Sequence, residues 1–312
     1  MNPLQTESAV KSRYAAGAQA VEPALCCAVQ YRPELLAVIP AEVIERDYGC
    51  GDPSQHVHPG ETVLDLGSGT GKICFIAAQI VGPAGRVIGI DMTDEMLEVA
   101  RSAAPVVAER LGYANVEFRK GRIQDLALDL AALDAELARS PVADAASFFA
   151  ANRLTEEWRA TRPLVATASI DVVVSNCVLN LVDPHAKQQM FNEIFRVLKN
   201  GGRAVISDIV SDKEVPADMQ NDPDLWSGCI SGALTENAFI QAFQDAGFPF
   251  VRLLKRDESP WQTVQGIEFR SVTLEAGKRP PRADIEPAQT ATAGSSPAKP
   301  VTTSFCDTGR CC

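Results

Sequence analysis

From Thr62 the chain reads TVLDL, then GSGTG, then KICFIAAQIV, and this succession constrains the fold more than any other feature. A short, mainly apolar run without strict alternation reads as a strand buried on both faces, as in a parallel sheet. Three glycines in five residues make a tight turn, and the apolar stretch at 73–81 reads as a helix. The pattern recurs. Strands are expected at 86–90, 116–119, 170–174 and 203–209. Helices are expected at 96–111 and 188–198, the second closed by Asn200-Gly201-Gly202. Strands alternating with helices predict an α/β fold whose mostly parallel, Rossmann-like sheet is covered on both faces.

Residues 59–210 form this core. An Ala-rich, helical insertion at about 126–166 interrupts it and is expected to lie on the rim as surface. Residues 1–58 read as a helical segment broken at Pro23, Pro33 and Pro40, carrying Cys26, Cys27 and Cys50. Residues 211–278 form a smaller C-terminal region, expected to bind substrate. Residues 279–312, rich in Pro, Ala, Ser and Thr, are expected to be a disordered tail ending in Cys306, Cys311 and Cys312.

With 29 basic against 40 acidic residues the net charge is −11, which argues against a nucleic-acid partner. No apolar run has the length of a membrane span, and the first twenty residues lack the apolar core of a signal peptide. A cytoplasmic protein with no membrane partner is expected, and nothing calls for an obligate dimer, so a monomer is expected too. Nine cysteines are many for such a chain, and a disulfide framework belongs to small secreted domains. Cys74, inside the apolar helix, reads as core. Cys177 ends the strand 170–174, where an α/β sheet presents its chemistry; the alternative reading is a small apolar filler.

The glycine turn has an acid on its approach, Asp65, and a second acid, Asp91, ends the next strand. Glycines let a backbone approach a ligand, and an acid at the second strand end accepts from ribose hydroxyls. Two nucleoside cofactors meet that description, NAD and S-adenosylmethionine (SAM). The spacing Gly67-x-Gly69-x-Gly71 departs from the dinucleotide pattern, and Asp65 repels a pyrophosphate but attracts the ammonium of a methionine moiety. SAM is therefore the expected cofactor, bound by Asp65, Gly67, Ser68, Gly69, Gly71, Lys72, Asp91, Met92, Gly121, Ile123 and Asn176. Met92 and the segment GRIQD after the third strand are placed on the two sides of the adenine.

VLDLGSGTG, VIGIDMTDEMLEVAR, GRIQDL, SNCVLNLV and RVLKNGGRAVISDIV together resemble the class I SAM-dependent methyltransferases. YGCG, IDMTDEML, SNCVLNLV and WSGCISGAL narrow the resemblance to the arsenite methyltransferases, over roughly residues 10–275. The resemblance implies that Cys177 and Cys229 bind trivalent arsenic and that Cys50 is a third thiolate. It implies less directly that the Cys26-Cys27 pair matches a further family cysteine. The substrate implied is arsenite or its glutathione conjugate.

The chemistry is consistent with that implication. Trivalent arsenic is soft, and thiolates suit soft centres. Its lone pair carries no proton, so methyl transfer requires alignment and no general base. Methylation formally oxidises arsenic, and a cysteine pair closing to a disulfide supplies the electrons for another round. Cys50 with Cys26 or Cys27 is the expected relay, restored by a thiol reductant, glutathione or thioredoxin. Two rival readings stay open: a methyltransferase for a small organic substrate, and a non-enzymatic thiol-based metalloid binder.

Overall fold

The structure is a computed structural model describing residues 3–22 and 29–279. Cys26, Cys27, Cys306, Cys311 and Cys312 lie outside the described residues. Among the described residues no helix is long and apolar enough to cross a membrane.

The core strands are β1 (Thr62–Leu66), β2 (Arg86–Asp91), β3 (Val116–Lys120), β4 (Ile170–Asn176) and β5 (Leu198–Ser211), paired in parallel in the order β3-β2-β1-β4-β5. β1 buries four of five residues, and β4 buries all but Asp171, because both lie between strands with helices on their faces. The chain builds β1, β2 and β3 in one direction and then returns to place β4 on the other flank of β1. The order therefore reverses between β1 and β4, and the crevice beyond their carboxyl ends is where such a sheet binds ligands.

Numbered in chain order, the helices before β1 are α1 (Pro3–Gln19), α2 (Pro33–Leu36) and α3 (Ala41–Glu45), and a 3-10 helix, Pro53–His56, leads into the strand. The N-terminal segment is less helical than expected. Pro33 opens α2 and Pro40 precedes α3, the positions a fixed φ favours, but each helix lasts only one turn. Then come α4 (Lys72–Val81) and α5 (Asp94–Leu111), and α8 (Pro184–Val197) lies between β4 and β5. α8 starts four residues earlier than expected, since Asp183 caps it by accepting from the His185 amide and Pro184 begins it. Asn200-Gly201-Gly202 does not simply close that helix. It lies within β5 as a bulge, between the pairings Ile170–Leu198 and Val172–Arg203.

The insertion is a pair of helices, α6 (Leu130–Arg139) and α7 (Ala145–Thr161). Asp144 and Ser147 form a capping box at the start of α7, and Trp158 is its buried side chain. After β5 come the short helices α9 (Ala217–Gln220) and α10 (Pro223–Ser227), the strand β6 (Leu234–Thr235), α11 (Glu236–Asp245), and β7 (Phe250–Arg256), β8 (Gln262–Val264) and β9 (Ile267–Gly277). Residues 211–278 continue the same sheet. β9 pairs antiparallel with β5 from Arg203–Gly277 to Ser211–Phe269, and β7 pairs antiparallel with β9 at the edge.

Candidate active site

A cavity of about 430 Å³ opens at the carboxyl ends of β1, β2 and β4. Its walls come from the glycine turn, from Asp91 to Thr93, from Gly121 to Asp125, from Asn176 to Val178, and from α1 through Glu7, Val10 and Tyr14. The turn is folded back onto β2: the Gly67 and Ser68 amides donate to the Ile90 carbonyl at 2.8 and 2.9 Å. A Cβ on Gly67 would lie 2.4 Å from Val178, so the turn approaches the Cys177 segment as only glycine permits.

Asp91 accepts from the Gly69 amide and the Thr93 amide, at 2.9 and 2.8 Å. A carboxylate has about four acceptor sites, so capacity remains for ligand hydroxyls. Asp65 is almost completely buried, and burial pushes its carboxyl up to about 7, with the Asp47 and Asp91 charges adding to the rise. Asp47 also lines the cavity. Asp65 and Asp91, facing one space, favour a cationic group there. The Ser68 hydroxyl oxygen, also on the wall, is buried without a hydrogen-bond partner among the described residues. Such an orphan calls for a polar ligand. Together with the apolar Met92 and Ile123, these features fit SAM: acids toward its ammonium, Asp91 toward its ribose, apolar side chains toward its base.

Two expected cofactor residues are engaged elsewhere. Lys72 is not on the cavity wall; its ammonium is 2.7 Å from Asp47 and lies over the Tyr31 ring. It compensates the charge of Asp47 and leaves Asp65 and Asp91 as acids without an ion pair among the described residues. Asn176 is on the wall, but its amide is fully spent. Its oxygen accepts from the Cys50 and Gly51 amides at 2.9 and 3.0 Å, and its nitrogen donates to the Gly51 carbonyl and the Tyr31 hydroxyl. The side chain therefore staples the Cys50 loop to the end of β4. The glycines flanking Cys50 allow this seat. A Cβ on Gly49 would lie 2.1 Å from the Asn176 amide nitrogen, and one on Gly51 would lie 2.5 Å from the Ser207 hydroxyl.

Cys50, Cys177 and Cys229 are buried in one apolar cluster with Val10, Leu181, Trp226 and Phe269. Cys177 lines the cavity. Its backbone has φ +62° and that of Cys229 +64°; among the described residues only Ala168 and Gln265 are other non-glycine positions with positive φ. Strained backbone of this kind persists where the surroundings enforce it. Here Asn180 donates to the Ile209 carbonyl at 2.7 Å and to the Cys229 carbonyl at 3.4 Å, and the Trp226 indole donates to the Leu181 carbonyl. Buried Lys187 donates to the Gly232 carbonyl, and buried Asp208 accepts from the Leu179 amide. The Cys229 thiol itself donates to the Cys177 carbonyl at 3.1 Å. Among the described residues no three His, Cys, Asp or Glu side chains form a group able to hold a metal ion, so the expected three-sulfur set is not preassembled.

Residues 57–247 match the family described as a methyltransferase domain. The chain is 40% identical over 246 residues to an arsenite methyltransferase of Halobacterium salinarum, covering 76% of this chain and 51% of that protein. It is 33% identical over 241 residues to an arsenite methyltransferase of Homo sapiens, covering 77% and 54%. Among solved structures it is similar to an arsenic(III) S-adenosylmethionine methyltransferase from Chlamydomonas reinhardtii. The identity there is 32% and the TM-score 0.62, covering 80% of this chain and 73% of that one. The chain belongs to the arsenite methyltransferase family. Its fold is the Rossmann-like class I SAM-dependent methyltransferase fold of that family. It spans about half the length of the first two relatives.

Several residues of this family member escaped the sequence reading. Cys74 is more than core: its thiol donates to Asp65 at 3.2 Å. The insertion is mostly surface, yet Arg159 reaches the cavity wall, where it pairs with Asp125 at 2.9 Å. Tyr14 and Glu7, from α1, line the same cavity. No local pattern marks Arg159, Tyr14 or Glu7, because each acquires its place from a segment far away in the chain.

Proposed function

We propose that this protein transfers a methyl group from SAM to trivalent arsenic, taken up as arsenite or its glutathione conjugate, with Cys177, Cys229 and Cys50 as thiolate ligands. The observation that carries this reading is the joining of Cys177 and Cys229, both in left-handed backbone, at the wall of an acidic, apolar-sided cavity. Bound in that cavity, SAM supplies a methyl group already activated on a sulfonium. The cysteines hold the arsenic so that its lone pair faces that methyl, and no proton needs removal. The burial of all three thiols excludes water from the arsenic. To ligate arsenic, Cys229 must give up its bond to the Cys177 carbonyl.

Each methyl added to the lone pair raises arsenic formally from trivalent to pentavalent. A further round takes two electrons, which a dithiol supplies on closing to a disulfide. In our reading Cys50 and Cys26 or Cys27 form that pair, glutathione or thioredoxin reduces it, and the protein works as a cytoplasmic monomer in arsenic detoxification.

The test is methyl transfer from radiolabelled SAM to arsenite in excess glutathione, with Cys177→Ser as control. Labelled methylarsenicals from the wild type alone support the reading. Arsenite binding without transfer identifies a metalloid binder, and the absence of both binding and transfer points to an organic substrate.

A further inference from the structure

The turn from Gly121 to Asp125 supplies one wall of the cavity, and two ion pairs fasten it from outside the sheet. At one end Arg122 donates to both carboxylate oxygens of Glu7 on α1, at 2.6 and 2.7 Å from one nitrogen. At the other end Asp125 accepts from Nε and Nη2 of Arg159, at 3.0 and 2.9 Å, and both bonds go to the same oxygen, Oδ2. The two pairs are unequal. The Arg122 and Glu7 side chains are 38% and 32% exposed, and such a pair is weak because water competes for both partners. The Asp125 side chain is only 11% exposed, and an acid so nearly buried is costly when its partner is removed.

Arg159 belongs to α7, so the insertion reaches the cofactor cavity. The chain leaving α7 is also built onto the foot of the turn. The Val165 and Leu164 amides donate to the Leu126 and Ala127 carbonyls, at 2.9 and 3.1 Å, and Leu126 is fully buried. A Cβ on Gly121 would lie 2.5 Å from Leu164. The core thus fixes Leu126, and Arg159 fixes the carboxylate one residue before it. Without Arg159, Asp125 gains by turning toward water, and it draws Gln124 and Ile123 away from the cavity.

We propose that Arg159 is a positioning residue for the cofactor: acting through Asp125, it holds the 121–125 turn that walls the base of SAM, and this makes the insertion part of the cofactor site. The inference rests on SAM as cofactor and is independent of the arsenic ligands.

The test is calorimetric titration of the 312-residue chain with S-adenosylhomocysteine, the demethylated cofactor, beside Arg159→Ala, Asp125→Asn and the double variant. Arg159→Ala should bind about tenfold more weakly, the scale of a hydrogen bond to a charged group. Asp125→Asn should weaken binding as well, and adding Arg159→Ala to it should cost no more than about twofold further. Glu156→Ala, which removes the exposed partner of Arg159 on the same helix, should bind as the wild type does. In turnover, Arg159→Ala should raise KM for SAM and leave KM for arsenite unchanged. Wild-type affinity in Arg159→Ala overturns the proposal. So does a double variant whose loss is the product of the two single losses, since Arg159 would then act without Asp125. Equal rises in both KM values also overturn it, because they mark a general loosening of the fold. If the wild type leaves arsenite unmethylated, the function reading has failed, and the calorimetric cycle still decides the role of Arg159.

Discussion

The Cys229 thiol donates to the Cys177 carbonyl oxygen at 3.1 Å, and both residues occupy left-handed backbone. That conformation costs a residue with a Cβ about 1–2 kcal/mol, so the two positions hold strain that glycine would relieve. Cys229→Gly should therefore melt at or above the temperature of Cys229→Ser, although both abolish arsenite methylation. Thermal unfolding followed by circular dichroism decides the point. A serine variant clearly more stable than the glycine variant would show that the backbone is not strained.

Asn176 joins the Cys50 loop to β4 through three hydrogen bonds and donates a fourth to the Tyr31 hydroxyl. Asn176→Ala leaves the buried Cys50 and Gly51 amides unmatched and should cost about 3 kcal/mol. Denaturant titration measures the loss. Peptide mapping should also show Cys50 alkylated faster, with SAM affinity little changed. A loss of SAM affinity with Cys50 labelling unaltered would return Asn176 to cofactor binding.

Burial raises the Asp65 carboxyl from 3.8 in the unfolded chain to about 7 in the folded one. The folded state holds this proton more tightly, so the contribution of Asp65 to stability is full below about pH 4 and is lost as pH rises through 7. A cationic ligand prefers the ionised acid, so SAM affinity of the unliganded protein should increase between pH 6 and 8. Calorimetric titration should find that slope in the wild type and a weaker, flat response in Asp65→Asn. The Cys74 thiol bond opposes the rise, so Cys74→Ala should move the slope to higher pH.

Lys187 and Asp208 are buried near each other behind the cysteine loops. Burial lowers the Lys187 ammonium to about 8 and raises the Asp208 carboxyl to about 6, each held back by the charge of the other. Removing one partner strands the other, so Lys187→Met should cost about 3 kcal/mol. Lys187→Met combined with Asp208→Asn should recover much of it. A double variant as unstable as the sum of the two single ones would mean that the pair is not coupled.

The glycine turn, Asp65 and Asp91 were legible because strand, turn and acid are contiguous and each obeys a local rule. The parallel core followed from the alternation around them. The start of α8 was missed because the cap, Asp183-Pro184, precedes the apolar period. Neither Lys72 nor Asn176 could be told from a ligand-binding residue, since their partners, Asp47 and the Cys50 loop, arrive through tertiary packing. Cys74 was read as core for the same reason: a helix pattern reveals burial but not which polar atom waits beside the thiol. Tyr14 joins the cluster of the three buried cysteines from the far end of the chain.

The Cys50 carbonyl accepts from the Ser271 hydroxyl of β9 at 2.7 Å, a partner 221 residues later in the chain. Among the described residues β9 is the last strand of the sheet in chain order, and it enters antiparallel between β5 and β7. A ribosome has therefore exposed Cys50, Cys177 and Cys229 before it has made the strand that seats the first of them. During synthesis these thiols are separate and accessible, and a thiophilic toxin can attack them singly. The newborn chain is vulnerable to the poison that, in our reading, the finished protein disarms, until β9 is in place.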